Sequence, residues 1–332
     1  MKVLLLLLSF ALPTCLLAQQ DAIMKAIQLQ EFGGPQVLQV RDIPRPTPAA
    51  GELLIRVRAA GVNPVDTGIR AGGASGLSGA VPPYVPGFDV SGVVTAIGAG
   101  VTNFGVDDEV FAMLSLRRGG GYAEYAIVKE AEAASKPSAA THEEAASIPL
   151  VALTAWQTLF EIADLQAGQT VLIHAGAGGV GSIAIQLAKW RGARVIATAS
   201  AYNHDFLREL GVDIAVDYRT QRFEDFATDV DVVLDPIGGE TQVRSMAILK
   251  EGGILVSIVG LTPAGRNPSR NIRVTSTLVQ PNAEQLTRIG ELIDAGTIRP
   301  IVNYRFPLSE APQAHEQSET RRSRGKIVLQ IN

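Results

Sequence analysis

Cysteine is almost absent. The 332 residues contain one, Cys15, inside the first apolar stretch. A lone thiol excludes an intramolecular disulfide and any cysteine-built zinc site, structural or catalytic. Histidine is scarce as well. His142, His174, His204 and His315 are the full set, and their spacing fits no metal-ligand pattern, so no metal is expected. His174 closes an apolar run and reads as a packed core residue rather than a catalyst. Long basic runs are missing. With 29 Lys+Arg against 33 Asp+Glu, the net charge is −4, which argues against nucleic acid as a partner. The one dense basic cluster is Arg321, Arg322, Arg324 and Lys326. It reads either as a solvated face or as a phosphate contact. No apolar run reaches the roughly 18 residues of a helical membrane span.

What is present fits a folded globular chain. Hydrophobic residues make up 46% and charged residues 19%, and the length suits one large or two medium domains. Lys2 followed by the apolar run Val3 to Leu12 resembles the n- and h-regions of a signal peptide. That segment is assigned to residues 1–18, with cleavage after Ala18. Its use would place the protein in the periplasm or outside the cell. Met24 opens the folded part, and a start there would leave the protein in the cytoplasm.

Residues 24 to about 147 carry short apolar runs such as Val37–Val40 and Leu53–Val57, broken by Gly and Pro. This spacing predicts a β-barrel or sandwich module. The Gly/Ser-rich stretch Ala71 to Ala80 reads as a mobile loop. From about 148 the pattern changes to buried strands alternating with helices. Strands are expected at 170–174, 194–198, 213–216, 231–234 and 254–259, and helices at 182–190, 204–210 and 241–249. Such alternation predicts an α/β, doubly wound parallel sheet. After about 296 the chain turns irregular and β-like, and its end is expected to return to the first module. The expected division is 24–147 plus 297–332 for one domain and 148–296 for the other.

Between the first buried strand and its helix stands Gly176-Ala177-Gly178-Gly179-Val180-Gly181. A G-x-G-x-x-G pattern alone is a weak signal, but the strand before it and the helix after it supply the confirming context. The glycines permit a tight turn and close backbone approach to a pyrophosphate. The helix that follows offers unpaired N–H groups to the anion. An ordinary Gly-rich turn is the plain alternative. The choice of dinucleotide depends on the end of the second strand, where NAD binders hold the ribose with Asp or Glu. Here the residues are Thr198-Ala199-Ser200. No carboxylate repels a 2′-phosphate, and Ser200 can donate to one, with Asn203 close by. NADP(H) is the expected cofactor, although Ser200 can equally cap the next helix. Val259 and Gly260, at the end of the strand expected over 254–259, complete the cofactor-binding candidates. Tyr125 and Lys129 form a Y-x-x-x-K match. As a catalytic pair it needs a helix, where four residues span roughly 6 Å. The surrounding sequence reads as a strand, which spreads them over roughly 13 Å. The match is assigned to chance.

Together these residues resemble the medium-chain dehydrogenase/reductase superfamily, and within it the zinc-free quinone oxidoreductase (zeta-crystallin-like) branch. The resemblance runs from Met24 to Asn332. It is carried by Ala60-Gly61-Val62-Asn63-Pro64-Val65-Asp66, Pro86-Gly87-Phe88-Asp89-Val90-Ser91-Gly92, Leu153-Thr154-Ala155, the turn His174 to Gly181, and Arg324-Gly325-Lys326-Ile327-Val328. It implies a GroES-like β-barrel domain, a Rossmann domain, a nicotinamide held between them, and a homodimer. In the zinc-dependent relatives, a Cys ligand stands at the place of Asn63 and a His ligand at the place of Phe88. The resemblance therefore implies a site without zinc. It places Asn63 at the substrate end of the cleft, with an amide donor for the substrate oxygen, and Thr154 beside the nicotinamide. Tyr218 and Arg321 are implied partners of the adenosine phosphate. Asn203 departs from a frequent Lys, and Gly68 from a frequent Tyr, which implies a differently shaped substrate pocket. Asp107 departs from a turn Gly, a change that Asp tolerates. Asp66 is a candidate proton donor or, equally, a turn-stabilising carboxylate.

Hydride transfer needs little acid–base machinery from the protein. The leading expectation is an NADPH-dependent oxidoreductase acting without zinc on a small molecule: a quinone, an enone or another activated carbonyl compound. An enoyl-thioester reductase on the same fold is an alternative, which a basic surface for coenzyme A phosphates would favour. A non-enzymatic NADP-binding protein is a third, marked by binding without turnover.

Overall fold

The computed structural model describes residues 22–268 and 270–332. The expected signal peptide at 1–18, with Cys15 and Ala18, lies outside the described residues.

The first sheet has seven strands. Its hub is Glu52–Val62, which pairs antiparallel with Asp89–Ile97, Tyr125–Lys129 and Lys326–Gln330. Register shifts at Leu54/Ile55 and Val57/Ala59 interrupt its pairing with Asp89–Ile97, and such bulges bend a sheet toward closure. Glu109–Met113, Ala133–Ser135 and Val302–Pro307 complete the sheet. The last two strands of the chain thus return to the first module, as expected. Ile23–Gln28 and Gln39–Pro44 form a separate ribbon.

The second sheet has six parallel strands. Their spatial order is Ile214–Asp217, Arg194–Ala199, Thr170–Ile173, Val230–Asp235, Leu249–Ser257, Arg273–Ser276. In order along the chain this is 3-2-1-4-5-6, so the winding reverses beside Thr170–Ile173. Ligands of open parallel sheets bind at the carboxyl ends of the strands at such a reversal. The apolar runs seen in the sequence are explained by burial on both faces. Val171, Ile173, Val195, Val232 and Val256 pack into the main core, while Leu172, Ile196, Val233 and Leu255 pack into a second core on the opposite side.

Several elements differ from the sequence expectation. The nucleotide-side helix begins at Gly179, inside the glycine motif, and ends at Trp190. The stretch 71–80 contains a helical turn, Ser75–Ser78, and is not loop throughout. The helix Gly239–Ala247 stops before Leu249, which opens the next strand. That strand ends at Ser257 and leaves Val259 and Gly260 beyond it. The helix Ala311–Glu319 lies between the last two strands, where irregular and β-like chain was expected. Its buried residues are Ala311, Ala314 and His315, so it lacks the large apolar stripe by which amphipathic helices are recognised. Asp107 adopts φ 74°, the left-handed backbone anticipated for it. Tyr125 and Lys129 lie on a strand, as the dismissal of that pair required. Among the described residues, no helix is long and apolar enough to cross a membrane.

Candidate active site

The turn after Thr170–Ile173 shows why glycine is required at two of its positions. A Cβ on Gly181 would stand 2.4 Å from the Ala175 carbonyl oxygen and 2.8 Å from Gly176 Cα. A Cβ on Gly176 would stand 2.9 Å from Ala197 Cβ, on the neighbouring strand. Gly178 caps the helix Gly179–Trp190 with extended backbone. The end of the chain crosses this turn: Gly325 N–H donates to the Ala177 carbonyl at 2.8 Å. The interdomain seam is therefore built from the glycine turn and the segment leading into the last strand.

Beside the turn, at the carboxyl ends of the first three parallel strands, opens a cleft of about 690 Å³. Ala177, Gly178, Ser200, Asn203, Tyr218 and Arg321 all line it. Of the cofactor candidates, Gly176, Gly179, Val180 and Gly181 shape the turn without lining this cleft. Val259 and Gly260 also lie off it. Val259 is half-exposed and the Gly260 carbonyl accepts from Gln242 Nε2 at 2.9 Å, which holds the segment after the fifth parallel strand.

The cleft carries no lining carboxylate, but five arginines: Arg219, Arg244, Arg321, Arg322 and Arg324. Arg244 is neutralised by a bidentate pair with Glu224, both bonds at 2.7 Å. Arg324 Nε donates to Asn203 Oδ1 at 3.0 Å, and its guanidinium lies 5.1 Å from the Tyr202 ring and 4.9 Å from the Phe206 ring. Asn203 Nδ2 in turn reaches Ser200 Oγ at 3.3 Å. Three members of the C-terminal basic cluster, Arg321, Arg322 and Arg324, therefore share this cleft with Ser200 and Asn203. Arg219, beside Tyr218, also lines the cleft, and sequence alone gives no individual signal for it or for Arg322 and Arg324. Their signal was density of charge alone, and their convergence with Ser200 comes from the crossing of the chain end over the turn. His174 is buried, with Nδ1 at 3.1 Å from Thr198 Oγ1 and Nε2 at 2.8 Å from Ser245 Oγ. Burial pulls its pKa down to about 4, so it is a neutral core residue as expected.

Lys326 separates from the arginines it follows in sequence. It is 6% exposed, and its Nζ donates to the Val62 carbonyl at 3.1 Å, to Asn63 Oδ1, and to Asp89 Oδ2 at 3.4 Å. Neither the solvated-face nor the phosphate reading holds for this member of the cluster. The side chain is drawn inward because its strand pairs with Glu52–Val62.

The same network holds the other catalytic candidates. Asn63 is fully buried, and its Nδ2 donates to Asp89 Oδ2 at 2.9 Å. One N–H of the amide expected to donate to a substrate oxygen is thus engaged with Asp89, and the side chain is shielded from solvent. Asp66 accepts from Asn63 N–H at 2.7 Å and from Tyr122 Oη at 3.0 Å on one oxygen, Oδ2. Its other oxygen has no partner. Burial raises the Asp66 pKa to about 7, against the opposing pull of the Asn63 and Tyr122 hydrogen bonds. Burial also raises Asp89, opposed chiefly by Lys326. It lowers Lys326, opposed by Asp89 and Asp66. His315 Nε2 lies 3.3 Å from Tyr122 Oη, and burial together with Arg70 holds its pKa near 3. Thr154 sits on the helix Pro149–Trp156 with its hydroxyl donated to the Leu150 carbonyl at 2.6 Å.

Residues 49–138 match the family described as "Alcohol dehydrogenase GroES-like domain", and residues 210–329 match that described as "Zinc-binding dehydrogenase". Among the described residues, no group of three or more His, Cys, Asp or Glu is placed to hold a metal ion. The chain is 36% identical over 317 residues to an NADPH-dependent alkenal/one oxidoreductase, chloroplastic, of Arabidopsis thaliana, covering 92% of this chain and 79% of that one. The solved quinone oxidoreductase of Coxiella burnetii superposes with a TM-score of 0.88 at 38% identity, covering 94% and 100%. That of Escherichia coli, complexed with NADPH, superposes with a TM-score of 0.83 at 30% identity, covering 92% and 99%. With both halves of the fold, the glycine turn and full-length relatives in agreement, the chain belongs to the medium-chain dehydrogenase/reductase superfamily, in its quinone oxidoreductase branch.

Proposed function

We propose that this protein is an NADPH-dependent oxidoreductase that reduces a quinone, an enone or another activated carbonyl compound without zinc. The observation that carries the reading is the cleft at the end of the second strand, lined by arginines and by no carboxylate. A 2′-phosphate fits there: Ser200 and Asn203 supply polar groups, Tyr218 and Arg219 one wall, and Arg321, Arg322 and Arg324 the charge. Charge-assisted hydrogen bonds of this kind are about twice as strong as neutral ones. The glycine turn and the amides opening the helix Gly179–Trp190 would take the pyrophosphate. Bound NADPH supplies the hydride. The protein's part is to hold the ring and the acceptor together and to keep water out; Asn63, Asp66 and Thr154 are the candidates for that end of the site, all three buried and outside the lining of the arginine cleft.

Zinc independence is supported by the residue types at the floor. Asn63 and Phe88 stand at the places of the Cys and His ligands of the zinc-dependent relatives, and Lys326 brings a cation of the protein's own to Asn63 and Asp89. A conjugated acceptor needs no Lewis acid to take up hydride. The proposed division into 24–147 plus 297–332 and 148–296 is supported by the return of Val302–Pro307 and Lys326–Gln330 to the first sheet. A homodimer, and export through a signal peptide at residues 1–18 as against a cytoplasmic start at Met24, belong to the same proposal. N-terminal sequencing of the natural protein decides between the two starts.

The test is to mix purified protein with NADPH and a panel of quinones and enones, before and after exhaustive chelation. Oxidation of NADPH that survives chelation is expected. No turnover with any acceptor would reject the reading, and activity restored only by added zinc would reject its metal-free part.

A further inference from the structure

Lys326 is an ammonium at the seam between the two domains. Its strand is antiparallel to Glu52–Val62, with Ile327 opposite Val62, which aims the side chain at the end of that strand. There Nζ has three acceptors for its three hydrogens: the Val62 carbonyl, Asn63 Oδ1 and Asp89 Oδ2. The stem touches the other domain, since a Cβ on Gly179 would stand 3.0 Å from Lys326 Cδ. Asp89 extends the reach of the cation, because its second oxygen accepts from Leu150 N–H at 2.7 Å. Leu150 lies in the helix Pro149–Trp156, which carries Thr154. One side chain therefore meets the first residue of the nucleotide-side helix, the Asn63–Asp66 turn and, through Asp89, the Thr154 helix.

Two physical points make this more than packing. The amide of Asn63 has a single orientation in this setting. Its oxygen faces the ammonium and its nitrogen faces the carboxylate, and a flip would set donor against donor and acceptor against acceptor. A buried ion pair is also weak evidence for stability, since well-packed apolar residues commonly do as well. The ammonium therefore calls for a role that apolar packing would not fill.

We propose that Lys326 is a positioning residue for hydride transfer: its stem packs on the cofactor turn at Gly179 while its ammonium locks Asn63 and Asp89, and so holds that turn against the Thr154 helix. The proposal rests on the oxidoreductase reading above for its kinetic readout and on amide exchange for a readout free of turnover.

The test uses Lys326→Met, which keeps an apolar stem against Gly179 and removes the charge. NADPH affinity, measured by fluorescence titration, is expected within about threefold of the wild type, because the arginine-lined cleft is untouched. The turnover number is expected to fall between about tenfold and a hundredfold, the loss typical of reacting groups displaced by about an ångström. With NADPH deuterated at the transferred position, the isotope effect on kcat is expected to rise, and amide exchange at Leu150 in the NADPH complex to quicken. The double variant Lys326→Met/Asp89→Asn leaves no unpaired buried charge and serves where the single variant fails to fold. Its turnover is expected to stay low. Wild-type turnover and unchanged Leu150 exchange in either variant would overturn the proposal, as would full recovery of kcat in the double variant, which would reduce Lys326 to a counter-ion of Asp89. A wild-type protein without turnover would sink the oxidoreductase reading instead, and Leu150 exchange would still decide the role of Lys326.

Discussion

Arg324 and Asn203 are joined across 121 residues by one hydrogen bond, Nε to Oδ1 at 3.0 Å. The resemblance implies a Lys at position 203, and this chain carries an uncharged amide there. That amide holds a guanidinium brought from the chain end, and the rings of Tyr202 and Phe206 lie beneath it. The positive charge of the cleft is kept, but it is delivered by another segment. Arg also differs from Lys in presenting a planar fork suited to phosphate.

Replacing Arg324 by Ala is expected to weaken NADPH binding by about ten- to a hundredfold, from roughly 1.5–3 kcal/mol for a hydrogen bond to a charged group. NADH binding should change by less than about threefold. Titration of both coenzymes into the variant checks this. Equal losses for the two would show that Arg324 supports the fold of the cleft rather than the 2′-phosphate.

Ser200→Asp puts a carboxylate at the end of the second strand, where NAD binders hold the ribose hydroxyls. The variant is expected to lose at least about tenfold in NADPH affinity and to gain in NADH affinity. The ratio of kcat/KM for the two coenzymes reads the switch. An unchanged ratio would place the phosphate elsewhere in the cleft.

The parts of this arrangement that were legible in the sequence are those that depend on local pattern. The glycine turn could be read because a run buried on both faces, Thr170–Ile173, leads into it and a helix follows. The absence of a carboxylate at Ser200 could be read for the same reason. Lys326 could not. In sequence it is the last member of a basic cluster, and only its pairing with a strand more than 260 residues earlier turns it inward to Asn63. The contacts of Asn63 are hidden by the same gap: neither Lys326 nor Asp89 is near it in the chain, yet both bond to its amide. The helix Ala311–Glu319 escaped notice because Ala311, Ala314 and His315, rather than large apolar residues, form its buried side.

Gly181→Ala tests the turn itself. The new Cβ would stand 2.4 Å from the Ala175 carbonyl oxygen, and both neighbours are backbone atoms that cannot swing aside. A loss of about 1–3 kcal/mol in stability is expected from such overpacking, with NADPH affinity falling as the turn opens. Thermal unfolding with and without NADPH measures both effects. A variant with the stability and NADPH affinity of the wild type would mean that the helix shifts freely, contrary to the close approach of Gly181 to the Ala175 carbonyl.

Asp66 makes stability depend on pH in a predictable direction. Burial raises its pKa from the ordinary 3.8 to about 7. Between those values the unfolded chain has released the proton while the folded chain still holds it. The folded state binds more protons there, so its stability falls as pH rises from about 4 through about 7 and then levels off. The groups around the carboxyl are Asn63, Tyr122, Asp89 and Lys326, with His315 held neutral behind Tyr122. Asp66→Asn keeps an oxygen for the Asn63 and Tyr122 hydrogen bonds and removes the titration. The difference in stability between variant and wild type should therefore move in favour of the variant as pH rises across this window, and stay constant above it. Chemical unfolding at a series of pH values reads that difference directly, and contributions from Asp89 and from surface carboxylates largely cancel in it. A difference that does not vary with pH would mean that Asp66 ionises near its ordinary value in the folded protein. The carboxyl would then be charged at neutral pH and would serve only to fix the turn that begins at Asn63.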